Sequence, residues 1–420
     1  MPVCPDPSPR YLRAGLGLVL VLAAGQATAW ENNHIHMLIG ERPIGMGGAY
    51  AGVSDDPSGL FYNPAGIVYG HAPNLSASVN SWQQTQTTYK NAFGGGDWDR
   101  QSSDLLPNFF GTTQPLGPLT VGFSYAVTRA VNEDQSQYFQ GVPTGSGVID
   151  FTINVDNQDT VNKIGPSAAL EIADGLSAGA TLYGHSRDRK TIINQVARYQ
   201  NGDAVWENLY VTQSEVGVEP VLGLMWEAAQ RLSIGVSART TQVLSSETER
   251  QPTCYSSDED FDGGICNPGE LAHEPPRTSS PRTTYPWEVR LGAAWFASRN
   301  LLVASDVSLY AASGDEKESI WNAALGTEYY WSSRWALRAG FYTNHSFSPE
   351  LVEGLINQPE RIDYYGGTFG ISRYSRNSSV TVGLTHAAGT GKAQIVAGDP
   401  DIQDVQASAT TLFLGTSYSY

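Results

Sequence analysis

The chain has 420 residues, 25 Lys+Arg against 42 Asp+Glu, and a formal net charge of −17. Charged residues are only 16% of the total, against about 25% in an average soluble chain. The mean hydropathy is nevertheless −0.27, because glycine (44), tyrosine (21) and small hydroxyl residues fill the place of charge. Such a composition favours strands and turns over helices. The acidic balance, with five lysines in all, excludes a nucleic-acid binder, which needs a basic footprint.

Residues 1–29 read as an export signal. Arg10 and Arg13 form the positive region, Ala14 to Gly25 the apolar run, and Ala27-Thr28-Ala29 a cleavage site before Trp30. Its removal takes away two arginines and one aspartate, so the mature chain is one unit more negative. Cys4 leaves with it, and the remaining Cys254 and Cys266 predict one local disulfide in an oxidising compartment. No later run reaches the 18 apolar residues of a membrane helix.

Residues 30–73 are rich in small residues and turns. Gly45, Gly47 and Gly48 permit close backbone approach, while Asp55-Asp56-Pro57 and Asn63-Pro64-Ala65 read as turns. Preceding the first barrel strand, this segment is expected to sit below or inside the barrel as a plug.

Residues 74–420 alternate in period two over segments of about ten residues, the pattern of a transmembrane barrel. The strands are predicted at 74–84, 105–115, 118–130, 161–172, 176–187, 213–227, 231–244, 284–297, 300–311, 319–331, 334–345, 361–373, 378–388 and 405–420. Fourteen is an even number, as bacterial barrels require. Six connections are short, at Gly117, 173–175, 228–230, 298–299, 332–333 and 374–377. Their counterparts are mostly longer and more polar, including 85–104, 131–160, 188–212 and 245–283. That alternation predicts periplasmic turns and external loops. Leu232, Ile234 and Val236 share one strand face, with Ser233, Ser237 and Arg239 on the other. Trp226, Trp295, Trp331 and Trp335 fall beside the short turns, as an interfacial girdle would. The fold class is therefore all-β: a barrel of about 14 antiparallel strands with an N-terminal hatch in its lumen.

Aligning three hairpins by their turn-proximal outward residues pairs Glu219 with Arg239, Arg290 with Asp306 and Glu328 with Arg338 on the inner face. They are expected to be structural ladders, or a polar lining that guides a ligand's head group. The loop 245–283 carries Asp258, Asp260 and Asp262 in a D-x-D-x-D-G run bracketed by the two cysteines, a candidate Ca2+ set within 254–266. His34-x-His36 reads as a hatch-surface pair. His185, His345 and His386 read as solvated residues near external strand ends. No nucleophile elbow, phosphate loop, dinucleotide fingerprint or zinc-protease motif is present, so the chain is read as a non-enzyme without a cofactor beyond the candidate calcium.

The run Gly-Met-Gly-Gly-Ala-Tyr (45–50), with Asp55-Asp56 and Asn63-Pro64-Ala65, resembles the FadL-type family of outer-membrane transporters for long-chain fatty acids and other hydrophobic compounds. The last strand resembles the assembly signal of outer-membrane barrels, with Tyr420 where Phe is usual. The resemblance implies a 14-stranded barrel, a hatch and sideways release through a kink in the third strand, 118–130. It implies as partners a hydrophobic small molecule, outer-membrane lipid and lipopolysaccharide, and the barrel-assembly machinery. The superfamily also contains secretion shuttles, so a scaffold or adhesion barrel is the alternative. A continuous apolar pocket above the hatch would favour transport, and a lumen filled by charge pairs a scaffold.

Overall fold

A computed structural model describes residues 32–70, 73–92, 96–140, 148–257, 266, 269–313, 317–395 and 400–420. The predicted signal and the Asp258, Asp260 and Asp262 run lie outside the described residues.

Period-two alternation gives strands β1 (Asn74–Tyr89), β2 (Trp98–Leu116), β3 (Leu119–Gln140), β4 (Val148–Ala173), β5 (Leu176–Tyr199) and β6 (Ala204–Ala229). After them come β7 (Leu232–Arg239), β8 (Gln242–Ser256), β9 (Leu271–His273), β10 (Arg277–Ser279), β11 (Glu288–Phe296) and β12 (Leu301–Tyr310). The wall is completed by β13 (Ile320–Ser332), β14 (Trp335–Asn344), β15 (Arg361–Tyr374), β16 (Ser378–Ala393) and β17 (Gln403–Ser419). All pairings are antiparallel, and β1 joins both β2 and β17, which closes the sheet. Both β7 and β8 pair with β6, so they are two segments of one wall strand, broken at Thr240-Thr241. β9 and β10 pair only with β8, which leaves a barrel of 14 strands.

Burial is inverted relative to a water-soluble protein. Leu222, Leu224 and Trp226 on β6, and Val380, Val382 and Leu384 on β16, point outward and are exposed. Ser237, Arg239, Glu328 and Arg338 point inward and are buried. This apolar-out, polar-in alternation is the lipid-facing belt of a membrane barrel. No helix among the described residues is long and apolar enough to cross a membrane.

Two expectations are corrected. Residues 131–140, 148–160, 188–199 and 204–212 continue the strands rather than forming long loops. Their inward Phe151, Ile153, Val155 and Ile193 pack with Trp98 and Tyr364 into an apolar core across the upper lumen. Alternation persists there because the extensions still have one dry face to cover. The second correction concerns register. Trp226 faces Ile234, and Trp295 faces Val303, each two residues from the expected partner. A bulge at Glu227/Ala229 and a longer turn at 297–300 take up the difference. Glu219 and Asp306 are therefore not directly opposite Arg239 and Arg290, whereas Glu328 and Arg338 are cross-strand partners. An even slip leaves every side chain on its face, so the charges stay in the lumen.

Candidate functional site

Inside the barrel, residues 32–70 form a compact hatch with two short helices, α1 (Glu41–Gly45) and α2 (Gly59–Tyr62), and a 3-10 turn (Pro64–Tyr69). Pro64 opens that turn, where its missing N–H costs nothing. The Asn63 Oδ1 accepts from the Ala65 N–H at 3.2 Å. Its Nδ2 donates to the Ala51 carbonyl at 2.9 Å and to the Leu224 carbonyl on the wall at 3.0 Å. The Asn-Pro-Ala motif thus shapes the hatch and fastens it to β6.

The glycines allow backbone-to-backbone seating. Gly47 has φ +65° and lies against Gly340, where a Cβ on the wall residue would come within 2.3 Å of the Gly47 nitrogen. A Cβ on Gly235 would lie 1.9 Å from the Ala51 carbonyl oxygen. Gly45 packs on the Arg338 side chain, and Gly48 has φ +82°.

The luminal charges hold this seat. Arg338 Nε donates to Glu328 Oε1 at 2.7 Å, and Arg42 Nη2 of the hatch donates to Glu328 Oε2, also at 2.7 Å. Arg42 also pairs with Asp55 and donates to the Tyr50 hydroxyl at 3.2 Å. The Asp306 Oδ2 accepts the N–H groups of both Tyr50 and Ala51 at 2.9 Å. Asp56 closes its predicted turn by accepting from the Ser58 N–H at 2.7 Å, and burial pushes its carboxyl up. Burial likewise pushes the Glu41 carboxyl up to about 7, against the pull of Arg338. Glu41 Oε2 is buried without a hydrogen-bond partner.

Above the hatch is a cavity of about 190 Å3. Phe61, Tyr62, Tyr285, Tyr310 and Tyr342 line it together with charged groups. Lys163 pairs with Glu219 at 2.5 Å, and Arg239 lies 3.8 Å from Glu219 and 3.6 Å from Glu288. Arg290 pairs with Glu288 at 3.0 Å and lies 3.9 Å from Asp306. Arg129 and Arg187 both pair with Asp159 at 2.7 Å. Cations cap the ring faces: the Arg239 guanidinium is 4.4 Å from the Phe61 centroid, and Arg290 is 5.0 Å from that of Tyr62. The cavity is therefore neither wholly apolar nor filled by the charge pairs. Leu38, Ala324 and Tyr342 line it and also pack in the upper apolar core, so the two regions are continuous.

His34 and His36 line this cavity rather than an outer hatch surface. His34 stacks on Tyr310 at 4.2 Å, and burial lowers its imidazole to about 4. His185 is not solvated: it is buried against the cavity, with its ring edge-on to Tyr285 at 5.3 Å. Lys163, Arg187 and Asn322 also line the space, and the signal that could have found them is their inward parity in the alternating strands. Tyr285 lines it too, from the segment before β11, where its parity with the exposed Trp287 and Val289 gave no such signal. Cys254 and Cys266 are joined as a disulfide beside Glu207, at the far end of β8.

The wall has an incomplete seam. β2 and β3 are laddered from Leu116–Leu119 up to Phe109–Ala126 and no further, although both strands continue. On β3 the ladder to β4 shifts register between Val127 and Arg129, and on β2 Pro107 removes a donor. Arg100 and Glu133 cross the seam as a buried ion pair, and Ser102 Oγ donates to the Asn132 carbonyl. A smaller cavity lined by Arg100, Ser102, Arg129, Glu133 and His36 opens behind it.

No family model matches the sequence, and no curated protein matches it. Among solved structures, the chain is similar to a Pseudomonas aeruginosa FadL homologue, with TM-score 0.62, 13% identity and 92% of this chain against 100% of that one. The P. putida toluene transporter TodX gives TM-score 0.65 at 12% identity, over 92% and 99% of the two chains. The Ralstonia pickettii toluene transporter TbuX gives 0.62 at 14%, also over 92% and 99%. At these identities the likeness is one of architecture: the chain has the fold of the FadL-type barrels.

Proposed function

We propose that the protein is an outer-membrane channel through which small hydrophobic molecules pass passively from outside and leave sideways into the membrane. The carrying observation is the pairing of a seated hatch with a seam whose backbone ladder is incomplete and which side chains alone bridge above Phe109. Arg42, Asn63 and the Asp306 contacts close the route downward, while the β2–β3 edge opens beside the cavity. Entry is through the upper apolar core, whose lower rim is shared with the cavity. The similar structures include toluene transporters and a monoaromatic hydrocarbon channel, which supports hydrophobic cargo. The lipid belt and girdle support the membrane location. The charge pairs are accounted for as hatch anchors, which weakens the scaffold alternative.

Proteoliposomes with Ser102→Cys and Asn132→Cys together test this reading. Oxidation should close the seam and reduce uptake of labelled hydrophobic compounds at least several-fold, and a reductant should restore it. Uptake above empty vesicles that is equal in the oxidised and reduced states removes exit through this seam, and no uptake above empty vesicles removes the channel reading and leaves a scaffold.

A further inference from the structure

The cavity above the hatch holds more hydrogen-bonding capacity than a hydrocarbon can use. His185 on β5 is 2% exposed, lines the cavity, and has neither ring nitrogen in a hydrogen bond. Asn322 on β13 is also 2% exposed; its Oδ1 accepts from the His345 N–H at 2.8 Å, while its Nδ2 has no partner. Buried polar atoms in native proteins are almost always satisfied, so such groups facing a void mark the place of a polar ligand atom.

Charge decides the type of polar atom. Every cation around the cavity already has a carboxylate: Lys163 and Arg239 face Glu219, Arg239 and Arg290 share Glu288, and Arg129 and Arg187 share Asp159. Glu219 Oε1 and Asp306 Oδ1 are additional buried acceptors without hydrogen bonds. A deprotonated ligand carries no proton for these two oxygens and would leave them unserved. A hydroxyl both donates and accepts, and so serves an imidazole, an amide N–H and a carboxylate oxygen alike. Size narrows the class further. A cavity of roughly 150 Å3 holds benzene, and this one measures about 190 Å3. The rings of Phe61 and Tyr285 supply its apolar faces.

We propose that the cavity above the hatch binds a neutral, single-ring-sized compound bearing a hydroxyl group, with His185 as its principal hydrogen-bond partner, in preference to a plain hydrocarbon. This deepens the channel reading by naming its cargo, but binding can be measured apart from transport. A site built to hydrogen-bond a ligand hydroxyl rejects the analogue lacking it by as much as ~10^4-fold.

The test uses the full-length protein in lipid nanodiscs, with labelled p-cresol and toluene, which differ only in the hydroxyl. Retention over empty nanodiscs should favour p-cresol at least tenfold. His185→Phe should bring that ratio close to one, and His185→Gln, which keeps a donor and an acceptor, should preserve it. Equal retention of the two compounds by the wild type, retention of neither, or an unchanged ratio in a folded His185→Phe overturns the proposal. If His185→Phe fails to assemble, the wild-type ratio decides alone. Selective binding without vesicle uptake would retire the channel reading and keep this site. Equal uptake of both compounds with equal retention would do the reverse.

Discussion

At the scale of single residues, the hatch is held by a few buried charges whose partners sit on the wall. Removing one member of a buried ion pair strands the other and costs about 3–5 kcal/mol. Arg42→Met leaves Glu328 with Arg338 alone and frees Asp55, so it should loosen the hatch. Planar-bilayer recordings should then show conductance steps absent from the wild type; a silent Arg42→Met would mean that Arg42 does not hold the seat. Glu41 adds a pH dependence. Its carboxyl is raised to about 7 from an ordinary 4.5, so the folded state binds the extra proton. That stabilisation is complete below about pH 4.5 and is lost as pH rises through 7. The thermal-unfolding midpoint should therefore be higher at pH 5 than at pH 8, and Glu41→Gln should flatten the difference. An unchanged slope in Glu41→Gln would assign the dependence elsewhere. Asp55, Asp56 and Asn63 stood out in the sequence as turn formers, but Arg42 and Glu41 did not, since their partners on the wall are more than 280 residues away.

At the scale of elements, strand parity was legible because lipid and lumen impose opposite polarities on successive residues. The strand lengths were not, since the extensions beyond the lipid belt keep one dry face against the upper core. Register was legible only to an even slip, because parity is blind to a shift of two. The glycines of the wall were unremarkable in sequence, yet Gly235 and Gly340 are where hatch backbone meets strand backbone. Gly235→Val should prevent the hatch from seating and expose 32–70 to limited proteolysis. Gly367→Val is the matched control, since a Cβ there meets nothing within 4 Å. Equal protection of both variants would show that the seat tolerates the clash. The resemblance placed a kink in 118–130; what the structure has there is a register shift at Val127/Arg129, beside Pro107 on the neighbouring strand, which parity could not reveal.

At the scale of the molecule, the barrel and hatch make separable contributions. Strand ladders close through β1 and β17 without any hatch residue. Deleting residues 32–70 should accordingly leave a barrel that still migrates as a compact species in unheated gel samples, while its conductance becomes large and permanent. Failure of the deleted protein to assemble would make the hatch part of the folding core instead.

The sequence by itself determined the all-β barrel, its strand count, its inward and outward faces and the small-residue plug. These follow from period-two alternation, turn chemistry and local composition, which are properties of neighbouring residues. Only the tertiary structure decided that His185 and Asn322 face one cavity, that Arg42 reaches Glu328 and that the β2–β3 ladder stops at Phe109. Each depends on closure bringing distant strands and the hatch together, and alternation carries no information about which inward residues then meet.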